Sequence, residues 1–207
     1  MNTCFIFAAG EDCGLHEIPD KNDLIIAADG GYISCRLAGI TPDYLVGDFD
    51  SLDTVPSGIT IQKLPVEKDD TDTVAALRMG LERGFRRFVI YGGTGGNRPE
   101  HTIANLQALS FLCSHGARGW LFGRGWVCTV IENETMTFPA NFEGNFSVFA
   151  FGGPVTGLTI RGLKYEVEDI ELRPDFPLGV SNSFIGQPAE VSVKTGRLLV
   201  WYDIKNS

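Results

Sequence analysis

Through the first ~130 residues, short uninterrupted apolar runs alternate with stretches of helical spacing, and most runs stop at glycine or aspartate. Apolar side chains at consecutive rather than alternate positions suit strands covered on both faces. Thr3–Ala9 is the first such run, closed by Gly10, and Asp23–Ala28 repeats the pattern before Asp29-Gly30-Gly31. Ile33, Leu37 and Ala38 then keep helical spacing up to Gly39, and Pro42-Asp43 leads into a third run, Tyr44–Val46. A loop rich in Ser, Asp and Pro precedes a fourth, Ile59–Leu64. Val74, Leu77 and Leu81 predict an amphipathic helix closed by Gly84, with Arg78, Glu82 and Arg83 facing away. Arg87–Tyr91 reads as another buried strand, ending in Gly92-Gly93-Thr94-Gly95-Gly96. A second helix is expected from Pro99 to His115, with Ile103, Leu106 and Leu109 on its inner face; Trp120–Phe122 and Trp126–Ile131 complete this half. Such alternation predicts an α/β domain, a mostly parallel sheet with helices on both faces.

Beyond Glu134 no helical period appears. Phe146–Phe151, Val155–Ile160, Tyr165–Leu172, Gly179–Phe184, Ala189–Val193 and Leu198–Ile204 are short strand-like runs separated by Gly, Pro or Asn. They predict a C-terminal all-β domain of the sandwich or barrel kind, so residues 1–133 are expected to form the α/β domain and 134–207 the β domain. The net charge of −9 argues against nucleic acid as a partner. Five cysteines, an odd number with no Cys-x-x-Cys pair, read as reduced thiols rather than a disulfide frame or zinc site. No run approaches transmembrane length and no leader pattern opens the chain, so a soluble, cytoplasmic protein without membrane contact is expected.

The chemistry sits where the runs end. Gly47-Asp48-Phe49-Asp50-Ser51 follows the third run, and in extended geometry Asp48 and Asp50 project to the same side. Two carboxylates held together repel unless a cation lies between them, and hard oxygen donors suit Mg²⁺; the plainer reading is an acidic turn. Asp29-Gly30-Gly31, Asp69-Asp70-Thr71-Asp72 and the Gly92–Gly96 turn with Arg98 likewise follow a run or open a helix. In an open α/β sheet, ligands bind where such loops converge beyond the carboxyl ends of the strands. Six carboxylates in one crevice would call for cations. Asp70 and Thr71 also suit a helix cap; on the functional reading Asp72, with Asp69 or Asp70, holds Mg²⁺ against a phosphate chain that Lys68 meets directly. The glycine turn admits close approach of backbone N–H groups to a phosphate at a helix start, with Arg98 and His101 beside it and Asn105 one turn on. It is neither a Walker A loop nor a dinucleotide fingerprint.

Taken in order, Asp29-Gly30-Gly31, Pro42-Asp43…Gly47-Asp48-Phe49-Asp50-Ser51, Asp69-Asp70-Thr71-Asp72 and Gly92–Gly96…His101-Thr102-Ile103-Ala104-Asn105 strongly resemble the thiamine pyrophosphokinases of the bacterial type. Gly162-Leu163-Lys164-Tyr165 and Val180-Ser181-Asn182-Ser183-Phe184 resemble motifs of that family's β domain, so the resemblance spans the chain. It implies a Mg²⁺-dependent homodimer that moves the β,γ-pyrophosphoryl group of ATP to the hydroxyl of thiamine, with thiamine near the subunit boundary. Carried over by motif, Asp48, Asp50 and Asp72 would be the metal carboxylates and, with Arg98, the catalytic set. Asp29, Gly30, Gly93, Thr94, His101 and Asn105 would belong to the nucleotide crevice, joined by Ser51, Lys68, Asp69, Asp70 and Thr71. Ser181 and Asn182 would hydrogen-bond the thiamine pyrimidine, and Tyr165 would pack on a ring. One departure stands out: the family pattern Gly-Gly-Arg-x-Asp-His reads Gly95-Gly96-Asn97-Arg98-Pro99-Glu100-His101 here, with Glu100 for the aspartate and spacing changed by a residue. The rival readings are pyrophosphoryl transfer to another heterocyclic alcohol of the pterin type, a phosphoaspartate enzyme, and a non-catalytic nucleotide or thiamine sensor.

Overall fold

A computed structural model describes residues 2–47, 59–63 and 70–204, and the chain divides into two compact units, one up to Arg124 and one from Gly125. The first contains, in order, β1 (Thr3–Phe7), β2 (Leu24–Ala28), α1 (Gly31–Leu37), β3 (Tyr44–Gly47), β4 (Thr60–Lys63), α2 (Asp72–Glu82), β5 (Arg87–Tyr91), α3 (Pro99–Ser114) and β6 (Arg118–Gly123). Its strands are all parallel in the order β6-β5-β1-β2-β3-β4. All five side chains of β1 are buried, as the continuous apolar run requires of a central strand. The sheet grows outward from β1 through β4, then resumes on the other side of β1 with β5, so its direction of growth reverses between β1 and β5.

The helices form where expected but not with every expected face inward. In α2, Thr71 caps the N-terminus and Gly84 follows the C-terminus at φ 87°, with Ala76, Leu77, Met79 and Gly80 buried. In α3, Pro99 stands in the first turn, but the buried stripe is Asn105, Ala108, Leu109 and Leu112. Ile103, expected inside, is 62% exposed, because the helix turns Asn105 rather than Ile103 toward the glycine turn after β5. In the two-turn α1 the buried pair is Gly31 and Cys35, one turn apart, which leaves Ile33 and Leu37 outward. No helix among the described residues is long and apolar enough to cross a membrane.

The second unit contains β7 (Trp126–Glu132), β8 (Thr135–Phe138), β9 (Asn145–Ala150), β10 (Val155–Arg161), β11 (Val167–Leu172), β12 (Asn182–Ser183), β13 (Ala189–Ser192) and β14 (Arg197–Asp203), with no helix among its described residues. Here β12-β9-β14-β7 pair in one antiparallel order and β11-β10-β13-β8 in another. Phe138 of β8 meets Phe146 of β9 and Tyr202 of β14 edge-on, with ring centroids 5.5 and 5.0 Å apart, so the two layers share an aromatic core. Trp126–Ile131, expected with the first half, pairs along its length with β14, from Trp126↔Asp203 to Glu132↔Arg197, and falls in the second compact unit. β8 was not anticipated, because only Phe138 of its four residues is buried. The Gly179–Phe184 run narrows to two paired residues, interrupted by Ser181 at φ 66°.

Candidate active site

The cleft of the first unit is built by backbone before side chains enter. The β1–β5 pairing continues past both strands: Ala8 N–H donates to Tyr91 C=O (2.8 Å), Gly10 N–H to Gly92 C=O (2.6 Å) and Glu11 N–H to Thr94 C=O (2.8 Å). Gly92 has φ 64°, and a Cβ there would strike the Ala8 carbonyl; a Cβ on Gly10 would strike the carbonyls of Gly92 and Thr94. Only glycine lets the two loops close this tightly. The result is a cleft of about 290 Å³ at the reversal point of the sheet, lined from the ends of β1 (Ala8, Ala9, Gly10), β2 (Ala28, Asp29) and β5 (Gly92, Gly93, Gly95, Gly96, Asn97) and the starts of α2 and α3. Ligands of open α/β sheets bind at such a place, and two helix N-termini add anion-favouring dipoles.

The predicted residues fall into distinct positions. Asp29 lines the cleft with φ 47°, a left-handed backbone uncommon outside glycine, held by its N–H to Val46 C=O (2.8 Å). Gly30 is the N-cap of α1 and is not in the lining. Gly47, the last described residue before the acidic stretch, lies against Asp29, whose Cα and Cβ are 3.2 Å from where a Cβ on Gly47 would stand. Thr71, Asp72 and Thr73 all line the cleft, Thr71 accepting the Val74 N–H on its hydroxyl (3.2 Å) and Asp72 opening α2. Asp70 instead pairs with Arg78 at 2.7 Å on the exposed side of α2 and is not in the lining. Asn105 is 4% exposed and donates from Nδ2 to the Gly93 carbonyl at 2.7 Å. Thr94 is buried and outside the lining, while Arg98 and His101 are in it. Arg98 Nε donates to Glu100 Oε1 at 2.9 Å, so the departing glutamate is engaged with its own arginine, and its helix-start N–H together with Arg98 lowers its pKa. Asp48, Asp50, Ser51, Lys68 and Asp69 lie outside the described residues. Among the described residues no group of three or more His, Cys, Asp or Glu is placed to hold a metal, but Asp29 and Asp72 bring two hard carboxylate donors to the cleft from separate elements.

Other features escaped the sequence reading. The end of β1, Ala8 to Gly10, forms part of the lining; its signal was an apolar strand closed by glycine, without any polar group. Thr102 Oγ1 accepts the Gly95 N–H (3.1 Å), which fixes the far side of the glycine turn. Tyr91 closes β5, and its hydroxyl accepts the N–H groups of His16 (3.1 Å) and Glu17 (2.8 Å), which ties down the loop after β1; burial pushes its pKa up to about 12. None of the five cysteines is in a disulfide, and burial raises the thiols of Cys4, Cys13, Cys35 and Cys128, so none of these four is poised as a nucleophile.

In the second unit, Tyr165 is 58% exposed at the rim of an apolar cleft of about 260 Å³, lined by Val148, Leu158, Ile160, Val167, Ile170 and Leu172 among others. Asn182 shares that lining but is buried, and Ser181 is exposed, its N–H donating to Ser147 Oγ (3.1 Å). The structure thus brings Tyr165, Ser181 and Asn182 to one neighbourhood.

A doubly wound parallel unit with an anion-suited cleft at its reversal point, carried on one chain with a β-sandwich unit, is the class of architecture that these elements define. Residues 15–118 match the pattern "Thiamin pyrophosphokinase, catalytic domain", and residues 132–200 match "Thiamin pyrophosphokinase, vitamin B1 binding domain". The chain belongs to the thiamine pyrophosphokinase family. It is 28% identical to the thiamine pyrophosphokinase of Bacillus subtilis (strain 168) over 196 residues, an alignment covering 87% of each chain. The crystal structure of a Bacillus subtilis thiamine pyrophosphokinase superposes with a TM-score of 0.86 at 25% identity, covering 99% of this chain and all (100%) of that one. A thiamin pyrophosphokinase family protein from Enterococcus faecalis gives 0.82 at 26% identity, with 100% of both chains covered.

Proposed function

We propose that this protein transfers the β,γ-pyrophosphoryl group of ATP to the hydroxyl of thiamine, giving thiamine diphosphate and AMP, as a cytoplasmic, Mg²⁺-dependent homodimer with thiamine near the subunit interface. The observation that carries this reading is the cleft where Asp29, Asp72, Arg98 and the glycine turn meet two helix N-termini. In the transfer, the thiamine oxygen forms a bond to the β-phosphorus, the bond from that phosphorus to the oxygen bridging it to the α-phosphate breaks, AMP departs with that oxygen, and the hydroxyl proton is released. Such transfer is catalysed by positioning and charge neutralisation more than by covalent chemistry. The glycine turn, kept in shape by Asn105 and Thr102, would seat the phosphates against backbone, and Arg98, with His101, would meet their charge. Asp72, with Asp48 and Asp50, would hold Mg²⁺, which when bound screens the phosphate charges. Lys68, Asp69, Thr71 and Ser51 would border the phosphate chain, with Gly93 shaping the crevice, while Asp70, held by Arg78 outside the lining, would take no part in it. Tyr165, Ser181 and Asn182 form the thiamine side of this reading.

Incubation with ATP, Mg²⁺ and thiamine, followed by resolution of the nucleotides, tests the proposal. AMP and thiamine diphosphate in equal amounts are expected. ADP in place of AMP would exclude pyrophosphoryl transfer, and inactivity with thiamine alongside turnover of a hydroxymethylpterin would transfer the reading to that acceptor.

A further inference from the structure

Asn182 is only 7% exposed, a burial that a polar side chain tolerates only with its hydrogen-bonding groups engaged. Its Oδ1 accepts the N–H groups of Tyr165 (2.9 Å) and Ser183 (2.9 Å), and its Nδ2 donates to the Tyr165 carbonyl (2.7 Å). Three of the four hydrogen-bonding positions of a carboxamide are therefore taken by backbone. Because Tyr165 supplies a donor to one end and an acceptor to the other, the amide has one workable orientation: a flip would set N–H against N–H and oxygen against oxygen. The side chain imitates the rung of a β-ladder, across 17 residues of sequence, at a place where the strands themselves do not pair.

Around this rung the chain is held further by Lys164 N–H to Ser183 C=O (3.0 Å) and by a bridge between Leu163 and Phe184. The backbone of Tyr165 is thus pinned while its ring stays 58% exposed beside the apolar cleft. That ring already receives a cation, the Lys164 ammonium 5.3 Å from its centroid. An aromatic face fixed by its backbone and open to solvent is suited to a flat, positively charged heterocycle.

We infer that Asn182 is a positioning residue that acts on thiamine through Tyr165, by holding that ring as the platform for the substrate, and not by hydrogen-bonding the substrate itself. This rests on the functional reading above and replaces the direct contact suggested by the motif. The test is a double-mutant cycle on the full-length protein with thiamine as the titrant, read by calorimetry, together with kcat and the KM for thiamine and ATP. Asn182→Ala and Tyr165→Ala should each weaken thiamine binding by about tenfold, with the KM for ATP unchanged. The double variant should bind thiamine no more weakly than Tyr165→Ala alone. If Asn182→Ala does not fold, Asn182→Asp, which keeps both acceptors but sets an oxygen against the Tyr165 carbonyl, takes its place in the cycle with the same expectation. Losses that multiply in the double variant, or thiamine affinity intact without the carboxamide, would overturn the inference while leaving the functional reading in force. A wild-type protein with no affinity for thiamine would overturn both.

Discussion

On the function proposed above, the two units solve the same problem, holding a ligand-facing surface still, with different materials. In the α/β unit the surface is mainly backbone: strand ends hydrogen-bonded to each other, a glycine turn, and helix starts. In the β unit it is an exposed tyrosine whose chain is held by a buried carboxamide. Each unit places one buried asparagine beneath its surface, Asn105 on the Gly93 carbonyl and Asn182 on Tyr165, but the first braces a turn and the second braces a ring. A backbone surface suits ligands that are anionic and bonded by many short contacts; an aromatic surface suits a flat ring with delocalised charge.

The widest separation between the units is expected from Asp72, which opens α2 at the cleft. Asp72→Asn should lower turnover by roughly two or more orders of magnitude, the scale of losing a charge-stabilising group, while thiamine binding to the β unit stays near wild type. Steady-state rates beside a thiamine titration check this. Near-normal turnover would return Asp72 to a helix-dipole role and leave the comparison without its catalytic half.

Asn105→Ala probes the brace of the first unit. It removes the 2.7 Å bond to Gly93 and leaves a buried carbonyl unsatisfied, which costs about 1–3 kcal/mol. The urea midpoint should fall accordingly, and the KM for ATP should rise with that for thiamine unchanged. A rise in both would mean that the two braces do not serve separate ligands.

How much of this was legible in the sequence follows the same division. Requirements met locally leave local marks: a central strand is apolar at every position, Thr71 caps α2, Gly84 ends it, and Pro99 opens α3. The cleft was therefore traceable from Asp29, Asp72 and Gly92–Gly96, each at the end of an element. Requirements met across the chain leave none. Nothing near Asn182 indicates that its amide serves Tyr165, and only the family resemblance brought the two together. The same blindness misplaced Ile103, because burial of Asn105 toward Gly93 sets the face of α3 against the plain apolar count. It also set Trp126–Ile131 with the first half, since a buried strand reads alike whether its partner is parallel or, like β14, antiparallel.

The smallest expected effect compares the interiors of the two units instead of their ligand surfaces. Burial raises the thiols of Cys35 in the first unit and Cys128 in the second from an ordinary 9.0 to about 12. A thiol whose folded pKa lies above its unfolded value stays protonated in the native state while the unfolded chain gives up its proton. Each therefore contributes stability that is full below pH 9.0 and declines as pH rises toward about 12. The slope is about 1.4 kcal/mol per pH unit per thiol over that window. Cys35→Ala and Cys128→Ala should each flatten the alkaline fall in unfolding free energy by that amount, measured by urea titration at intervals from pH 8 upward. The neutral-pH value should change far less than the slope. Equal flattening would mean that both interiors exclude water alike. A slope unchanged in Cys35→Ala and flattened in Cys128→Ala would show that the α/β unit, whose cleft opens among the ends of its own strands, admits water to its core more readily than the sandwich does.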